Sequence, residues 1–228
     1  MGLRDALLDA WALLVPVECA GCGEPDRALC AECTALLEPH TAVRSTPGGL
    51  RVVTALRYEG VVRAVLLSLK EQGRTDATAV LSRALHAALD RAVADRPRVE
   101  VVAVPTSRAA FRRRGYDPVA LLLGGRRDAA PRVLRAVGRS SAQKTLGAAE
   151  RAANRRGAFS ARGDLTGRVF VVVDDILTTG ATLDEAARAL AAAGGTVVGA
   201  ATLAFTPRLF AVRDNAARGD YGGAKGAR

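Results

Sequence analysis

Apolar positions fall into short runs separated by helix-spaced stretches. Residues 51–58 are largely β-branched or apolar and predict a strand. Val61, Val65, Leu66 and Leu69 then recur at three- and four-residue intervals, which predicts a helix ending near Lys70. Leu81, Leu85, Ala88 and Leu89 mark a second helix within residues 75–94. Residues 99–104 are a strand-length apolar run stopped by Pro105, and residues 111–123 have mixed helical character. Residues 139–162 are polar, basic and weakly periodic, as in a long loop with a helical turn or two. Another apolar run covers residues 169–173. Leu183, Ala186, Ala187 and Leu190 follow as a helix stopped at Gly194 and Gly195, and residues 196–204 return as a strand. Strands that are apolar throughout, alternating with amphipathic helices, predict an α/β fold with a parallel sheet covered on both faces.

The flanks read differently. Leu3, Leu7, Trp11 and Leu14 share a helical face interrupted by acids at 5 and 9, an amphipathic helix rather than a signal peptide. No run reaches the roughly 18 apolar residues of a membrane span, so cytoplasmic residence and no membrane partner are the expectation. Prolines, glycines and small polar residues at 38–49 read as a linker. The expected division is a small module in residues 1–50, a main domain in 51–206, and a disordered basic tail in 207–228.

Composition changes this picture in two ways. Among 228 residues only 4% are aromatic, so Ala, Val and Leu must fill the core. The formal charge of +10 is also uneven. Residues 1–50 carry a net of −4, whereas residues 108–168 carry +11, nearly all of it arginine. Such a stretch meets a phosphate-rich small molecule, a nucleic acid, or water.

The sharpest local signal lies after the 169–173 strand. Asp174 and Asp175 follow directly, then Thr178, Thr179, Gly180, Ala181 and Thr182 lead into a helix. Carboxylates after an apolar strand are costly to bury and should face a cleft, where open α/β sheets bind ligands. Gly180 lets the backbone turn tightly, and N–H groups at a helix start favour phosphate. Thr182 and Glu185 have capping-box spacing. Two carboxylates suit vicinal sugar hydroxyls and the adjoining cradle suits a phosphate, which together match a 5-phosphoribosyl group. A plain strand-to-helix turn with incidental Thr and Gly is the bland alternative. An ATPase strand would need a G-x-x-x-x-G-K-[ST] loop, which the chain lacks, and it has no G-x-G-x-x-G after a strand.

All four cysteines lie in two C-x-x-C pairs, Cys19 with Cys22 and Cys30 with Cys33. Four thiolates at this spacing close a tetrahedral Zn²⁺ site with no open position, a structural rather than catalytic metal, and Gly21 and Gly23 permit the tight turns. Disulfides are the alternative and suit a secreted chain. His40 and His86 are not needed as ligands; His86 reads as a surface or boundary residue.

The run from Val171 through Asp174, Asp175 and Gly180 to Thr182 resembles the phosphoribosyl-diphosphate (PRPP) signature of type I phosphoribosyltransferases. More narrowly, residues 19–33, 56–70, 104–121, 139–159 and 169–182 resemble the ComF family, named for a competence protein of DNA-uptake systems. The resemblance implies a Rossmann-like parallel-sheet domain with an N-terminal zinc module. It implies that Asp174 and Asp175 hold the ribose hydroxyls and that Thr178, Thr179, Gly180, Ala181 and Thr182 hold the 5′-phosphate. Thr106, Ser107 and Arg108 would form the pyrophosphate loop. Arg139, Gln143, Arg151 and Asn154 would belong to a mobile loop closing over the ligand, with Arg139 in a catalytic role. Mg²⁺ would accompany PRPP. Where the family usually has Arg-Gly-Phe-Asn-Gln, this chain has Arg114, Gly115, Tyr116, Asp117 and Pro118, so an acid and a proline replace two amides.

Three readings follow. The first is an enzyme transferring phosphoribosyl to a nitrogenous acceptor. The second is a PRPP-binding or single-stranded-DNA-handling accessory of DNA uptake. The third is a zinc-module adaptor on an inert sheet, which the intact Asp174 and Asp175 oppose. Arg112, Arg113 and Arg114 suit phosphate, nucleic acid or solvent alike. The acceptor stays open, and a homo-oligomer is compatible with the sequence.

Overall fold

The computed structural model describes residues 17–25, 27–94, 96, 98–126, 128–130, 133–137 and 157–207. In chain order the elements are α1 (Ala31–Ala35), β1 (Ala42–Ser45), β2 (Arg51–Arg57), α2 (Gly60–Glu71), α3 (Thr78–Val93) and β3 (Val99–Ala103). There follow α4 (Arg108–Arg114), α5 (Pro118–Leu123), β4 (Leu134–Ala136), β5 (Phe159–Ala161), β6 (Val169–Leu177), α6 (Ala181–Ala191) and β7 (Thr196–Phe205). The first expected helix and the basic tail from 208 onward lie outside the described residues, as do Arg139, Gln143, Arg151 and Asn154.

The main sheet has the order β1-β2-β7-β6-β3. β2, β7, β6 and β3 run parallel, and β1 joins antiparallel at the edge. Strand alternation divides the core. Val171 and Val173 pack with Leu66 and Leu69 of α2 and Leu81, Leu85 and Leu89 of α3. Phe170 and Val172 pack on the other face with Leu183, Ala186 and Leu190 of α6. Leucines without measurable exposure, such as Leu69, Leu85 and Leu190, each contribute about 1.5–3 kcal/mol by burial. The expected parallel sheet with helices on both faces is therefore present, with one antiparallel strand added.

That added strand corrects the linker reading of 38–49. Residues 42–45 pair with residues 51–54 of β2. The following turn reaches α6, because the Thr46 hydroxyl donates to Asp184 Oδ1 and the Gly48 N–H donates to Asp184 Oδ2 at 2.9 Å. Composition suggested a spacer because Pro and Gly fill the turn, yet β1 needs only four residues and uses a neighbour's unpaired edge. The 111–123 stretch resolves into two short helices. α4 ends at Gly115, and Asp117 caps α5 through an Oδ1 bond from the Ala120 N–H at 3.0 Å. Part of the weakly periodic 139–162 stretch is β5, which pairs with β4 in a separate two-stranded sheet packed near α6.

Candidate functional site

β6 runs farther than its apolar core. Its partner β3 stops pairing at Ala103 opposite Val173, whereas β7 stays alongside β6 to Leu177 opposite Phe205. One side of β6 is thus uncovered from Asp174 onward, which forms the cleft expected at the carboxyl end of parallel strands. Both aspartates keep partial exposure there. Asp175 follows the parity of Val171 and Val173, toward the face that carries α2. Its Oδ2 meets Lys70 Nζ at the end of α2, 2.7 Å away. Asp174 Oδ1 accepts the Asp175 N–H at 2.9 Å. Close packing around the Asp174 carboxyl and the neighbouring Asp175 charge raise its pKa to about 7; Lys70 opposes this rise and Asp117 adds to it.

Thr178 and Thr179 are exposed beyond the strand, and Gly180 is buried beneath them. Gly180 has φ +82°, and a Cβ there would lie 2.8 Å from Thr46 Cγ2. Both conformation and space require glycine. The backbone therefore rests directly on the 46–49 turn and enters α6. Asp184 in the first turn of α6 is held by Thr46 and Gly48. The capping box is not formed. Gly180, not Thr182, is the cap residue of α6, and no side chain caps it. Glu185 instead accepts the Gly157 N–H at 2.7 Å and bonds Arg188. A tertiary contact has taken the glutamate that local spacing assigned to the cap.

The 104–108 segment reaches the same end of the sheet. Val104 N–H donates to Val173 O at 2.8 Å. Thr106 N–H reaches Asp117 Oδ2 at 3.4 Å, and Ser107 Oγ accepts the Ala110 N–H at 3.2 Å. Pro105, Thr106, Arg108, Phe111, Arg112 and Asp117 line a cavity of about 340 Å³. Asp117, which replaces an amide of the related pattern, thus ties the 106 backbone to α5. The structure brings Asp174, Asp175, Thr178, Thr179, Gly180, Thr106 and Arg108 toward one end of the sheet; Arg139 lies outside the described residues.

Three contributors escaped the sequence reading: Lys70, Asp184 and the Thr46 turn. Lys70 carried a signal, since it is one of three lysines among many arginines. The 46–49 turn carried none. The arginine run is also less uniform than its charge suggests. Arg114 Nε donates to Lys70 O at 2.7 Å, and Arg113 and Arg114 each approach Glu71 at 3.5 Å. Tyr116 donates its hydroxyl proton to Leu69 O. These bonds fasten α4 and the following turn to the end of α2 that presents Lys70.

Among the described residues, the one group of three or more cysteines, histidines or acids close enough to share a metal is the four-cysteine cluster. Its Sγ atoms all lie within 4.8 Å of one another. Cys22 and Cys30 sulfurs are 3.7 Å apart, far beyond a disulfide and close to the edge of a tetrahedron with Zn–S bonds of about 2.3 Å. Cys30 N–H and Gly21 N–H point at Cys19 Sγ, at 3.3 and 3.4 Å. Burial pushes the Cys19 thiol up, but hydrogen bonds from Cys30, Cys22 and Gly21 outweigh it and bring the pKa down to about 6. Burial and the neighbouring thiols push Cys33 well above the ordinary thiol range. Sulfurs gathered in this way favour a thiolate at Cys19 and resist one at Cys33 unless a dication joins them. A Cβ on Gly21 would lie 2.6 Å from Cys33 Sγ, so space rather than φ demands glycine there, whereas Gly23 adopts φ +83°.

Among the described residues no helix is long and apolar enough to cross a membrane. A comparison with curated proteins finds no match. The family model described as phosphoribosyl transferase domain matches residues 119–219, a stretch that holds β6, the Asp174–Gly180 segment, α6 and β7. Over the matched residues the fold is that of a phosphoribosyl transferase domain, within a mixed α/β structure whose central sheet is mainly parallel, and the four-cysteine cluster nearer the N-terminus is compatible with a zinc module.

Proposed function

We propose that the chain binds PRPP at the open end of β6 and transfers its phosphoribosyl group to a nitrogenous acceptor, releasing pyrophosphate. The observation that carries this reading is the pair Asp174 and Asp175 beside the glycine-turned start of α6, in a cleft opened by the early end of β3. The carboxylates accept hydrogen bonds from the two ribose hydroxyls. Thr178, Thr179, Gly180, Ala181 and Thr182 hold the 5′-phosphate with N–H and hydroxyl donors. Thr106, Ser107 and Arg108 receive the diphosphate, and Arg139 assists departure of the leaving group. The acceptor nitrogen forms a bond to C1 with its lone pair as the C1–O bond breaks. The electron pair leaves on pyrophosphate, and the proton shed by nitrogen passes to water.

Two adjoining carboxylates are oxygen donors of the kind Mg²⁺ takes, and one of them, Asp175, already faces a cation in Lys70 Nζ at 2.7 Å. Asp174 and Asp175 would hold such an ion near the ligand, and when bound it neutralises charge on the leaving diphosphate. Cys19, Cys22, Cys30 and Cys33 hold structural Zn²⁺ in this reading. The narrower resemblance is to the ComF family, with the chain in the cytoplasm and the zinc module occupying residues 1–50 before a 51–206 domain. The second reading, a non-catalytic PRPP-binding accessory that handles single-stranded DNA in competence, is favoured by the +11 charge of residues 108–168.

Calorimetry with PRPP and Mg²⁺ tests the site. The Asp174→Asn/Asp175→Asn variant should lose binding, with about 1–3 kcal/mol lost per charged hydrogen bond. Equal affinity in the variant and the parent chain would defeat the assignment. A panel of nitrogenous acceptors, scored for pyrophosphate release, separates enzyme from accessory.

A further inference from the structure

The β4–β5 pair carries a feature that the PRPP reading uses only through Arg108. Arg108, Arg135 and Arg162 line one cavity of about 290 Å³, together with Ala136 and Val137. The three side chains come from different places: the start of α4, the middle of β4 and the residue after β5. Among the described residues no carboxylate pairs with any of them. Several other arginines of this chain do find acids, as Arg126 does with Asp90 and Asp128 and Arg168 with Glu100. Three like charges around one concavity repel one another and are relieved by an anion.

The concavity is also braced. Arg135 Nε donates to Ser160 Oγ at 2.7 Å across the paired strands, which fixes its guanidinium plane. Arg162 N–H is held by Val133 O at 2.9 Å. The pair of strands is in turn clamped to α6. Glu185, buried, accepts Gly157 N–H and both Nε and Nη2 of Arg188, and Arg188 Nη2 reaches Phe159 O at 3.4 Å. These bonds hold the Arg135 side chain and the backbone that carries Arg162, and guanidiniums suit a phosphate or carboxylate, which they grip through paired N–H donors. A cavity of 290 Å³ admits one compact group rather than a polymer strand. Arg108 also lines the neighbouring cavity with Thr106 and Asp117, so the two spaces meet at one side chain.

Resting on the PRPP reading, we propose that this cavity is a second anion site, in which Arg135 and Arg162 hold a phosphate or carboxylate group of the phosphoribosyl acceptor. The acceptor is thus an anionic nitrogenous compound rather than a neutral base.

The test is calorimetry on the full chain saturated with PRPP and Mg²⁺, with inorganic phosphate and benzoate as separate probes. The loaded chain should bind at least one probe. The Arg135→Gln/Arg162→Gln variant should bind it about tenfold more weakly, with PRPP affinity unchanged. Because Arg135 bonds within the paired strands, Arg162→Gln alone is measured alongside and should show the same direction. Tighter binding of phosphate marks a phosphorylated acceptor, and tighter binding of benzoate a carboxylated one. No probe binding, or equal binding by the variants, overturns the proposal. Loss of PRPP affinity in the variants also overturns it, because the arginines would then belong to the diphosphate. A chain that binds no PRPP defeats the proposed function instead, and the probe titration on the unloaded chain then still decides whether the arginine site exists.

Discussion

Asp174 is where residue chemistry and function pull against each other. Its folded pKa, raised to about 7, lies above the ordinary aspartate value near 4. The folded state thus binds the proton more tightly than the unfolded chain. Stability is lost as pH rises through about 4, and the loss is complete above about 7. Asp174→Asn should therefore stabilise the chain at pH 8, by about 1–3 kcal/mol, and have no effect near pH 4. Thermal melts at both pH values measure this; equal shifts at both would contradict it. PRPP binding should show the opposite preference, because ribose hydroxyls need the charged carboxylate. Affinity should weaken below about pH 7, and the part of that dependence beyond the ligand phosphate's own titration should vanish in Asp174→Asn. Lys70 supplies the complementary test. Lys70→Met leaves the Asp175 charge without its partner in a site where both side chains are under one-fifth exposed. A cost of about 1–3 kcal/mol is expected, and Asp175→Asn should recover part of it in a double-mutant cycle.

At the scale of elements, two loops are fixed by contacts distant in sequence. The 46–49 turn supports Gly180 and binds Asp184, so the start of α6 depends on residues more than 130 positions earlier. Asp184→Ala should loosen that turn and weaken PRPP binding several-fold without removing a phosphate ligand; unchanged affinity would show the latch to be dispensable. The cysteine cluster is likewise docked. Val61 of α2 packs against it, and Arg74 donates to Glu18 O and Ala28 O at 2.7 and 3.2 Å. About one Zn²⁺ per chain is expected by metal analysis, following the four-ligand rule. Cys22→Ser should release the metal and lower the melting temperature, while PRPP affinity falls little, because the cysteines supply no group to the proposed ligand site. Zinc-free, reduced protein with an unchanged melt would refute the metal assignment.

Over the whole chain, the charge is uneven along the sequence, with −4 in residues 1–50 and +11 in residues 108–168. A diphosphate and one further anion engage only part of that charge. Weak, sequence-independent binding of single-stranded DNA, falling steeply with salt, is the expected consequence. The arginines do not contribute equally. Arg112 is exposed, whereas Arg114 is tied to Lys70 O and Glu71. Arg112→Ala should lower DNA affinity and reduce the salt slope by about 0.7 if it contacts one phosphate. Arg114→Ala should act mainly on stability. Gel shifts at low salt showing no DNA retention by the folded chain would leave the arginines to small anions and solvent.

The sequence by itself determined what is encoded locally. Largely apolar runs at 99–104 and 196–204 gave strands, the three-four spacing of Val61 to Leu69 gave α2, and the two cysteine pairs gave the cluster. The motif from Asp174 to Gly180 was legible because burial cost and backbone conformation act within a few residues there. The tertiary structure decided what depends on partners. Residues 42–45 became a strand because β2 had an open edge, and Glu185 left its expected cap because Gly157 and Arg188 bind it more fully. Lys70 meets Asp175, and three arginines meet around one cavity, because the fold joins segments that spacing along the chain does not relate. Charge attraction and shared edges are satisfied in space, so their outcome is fixed only once the chain has packed.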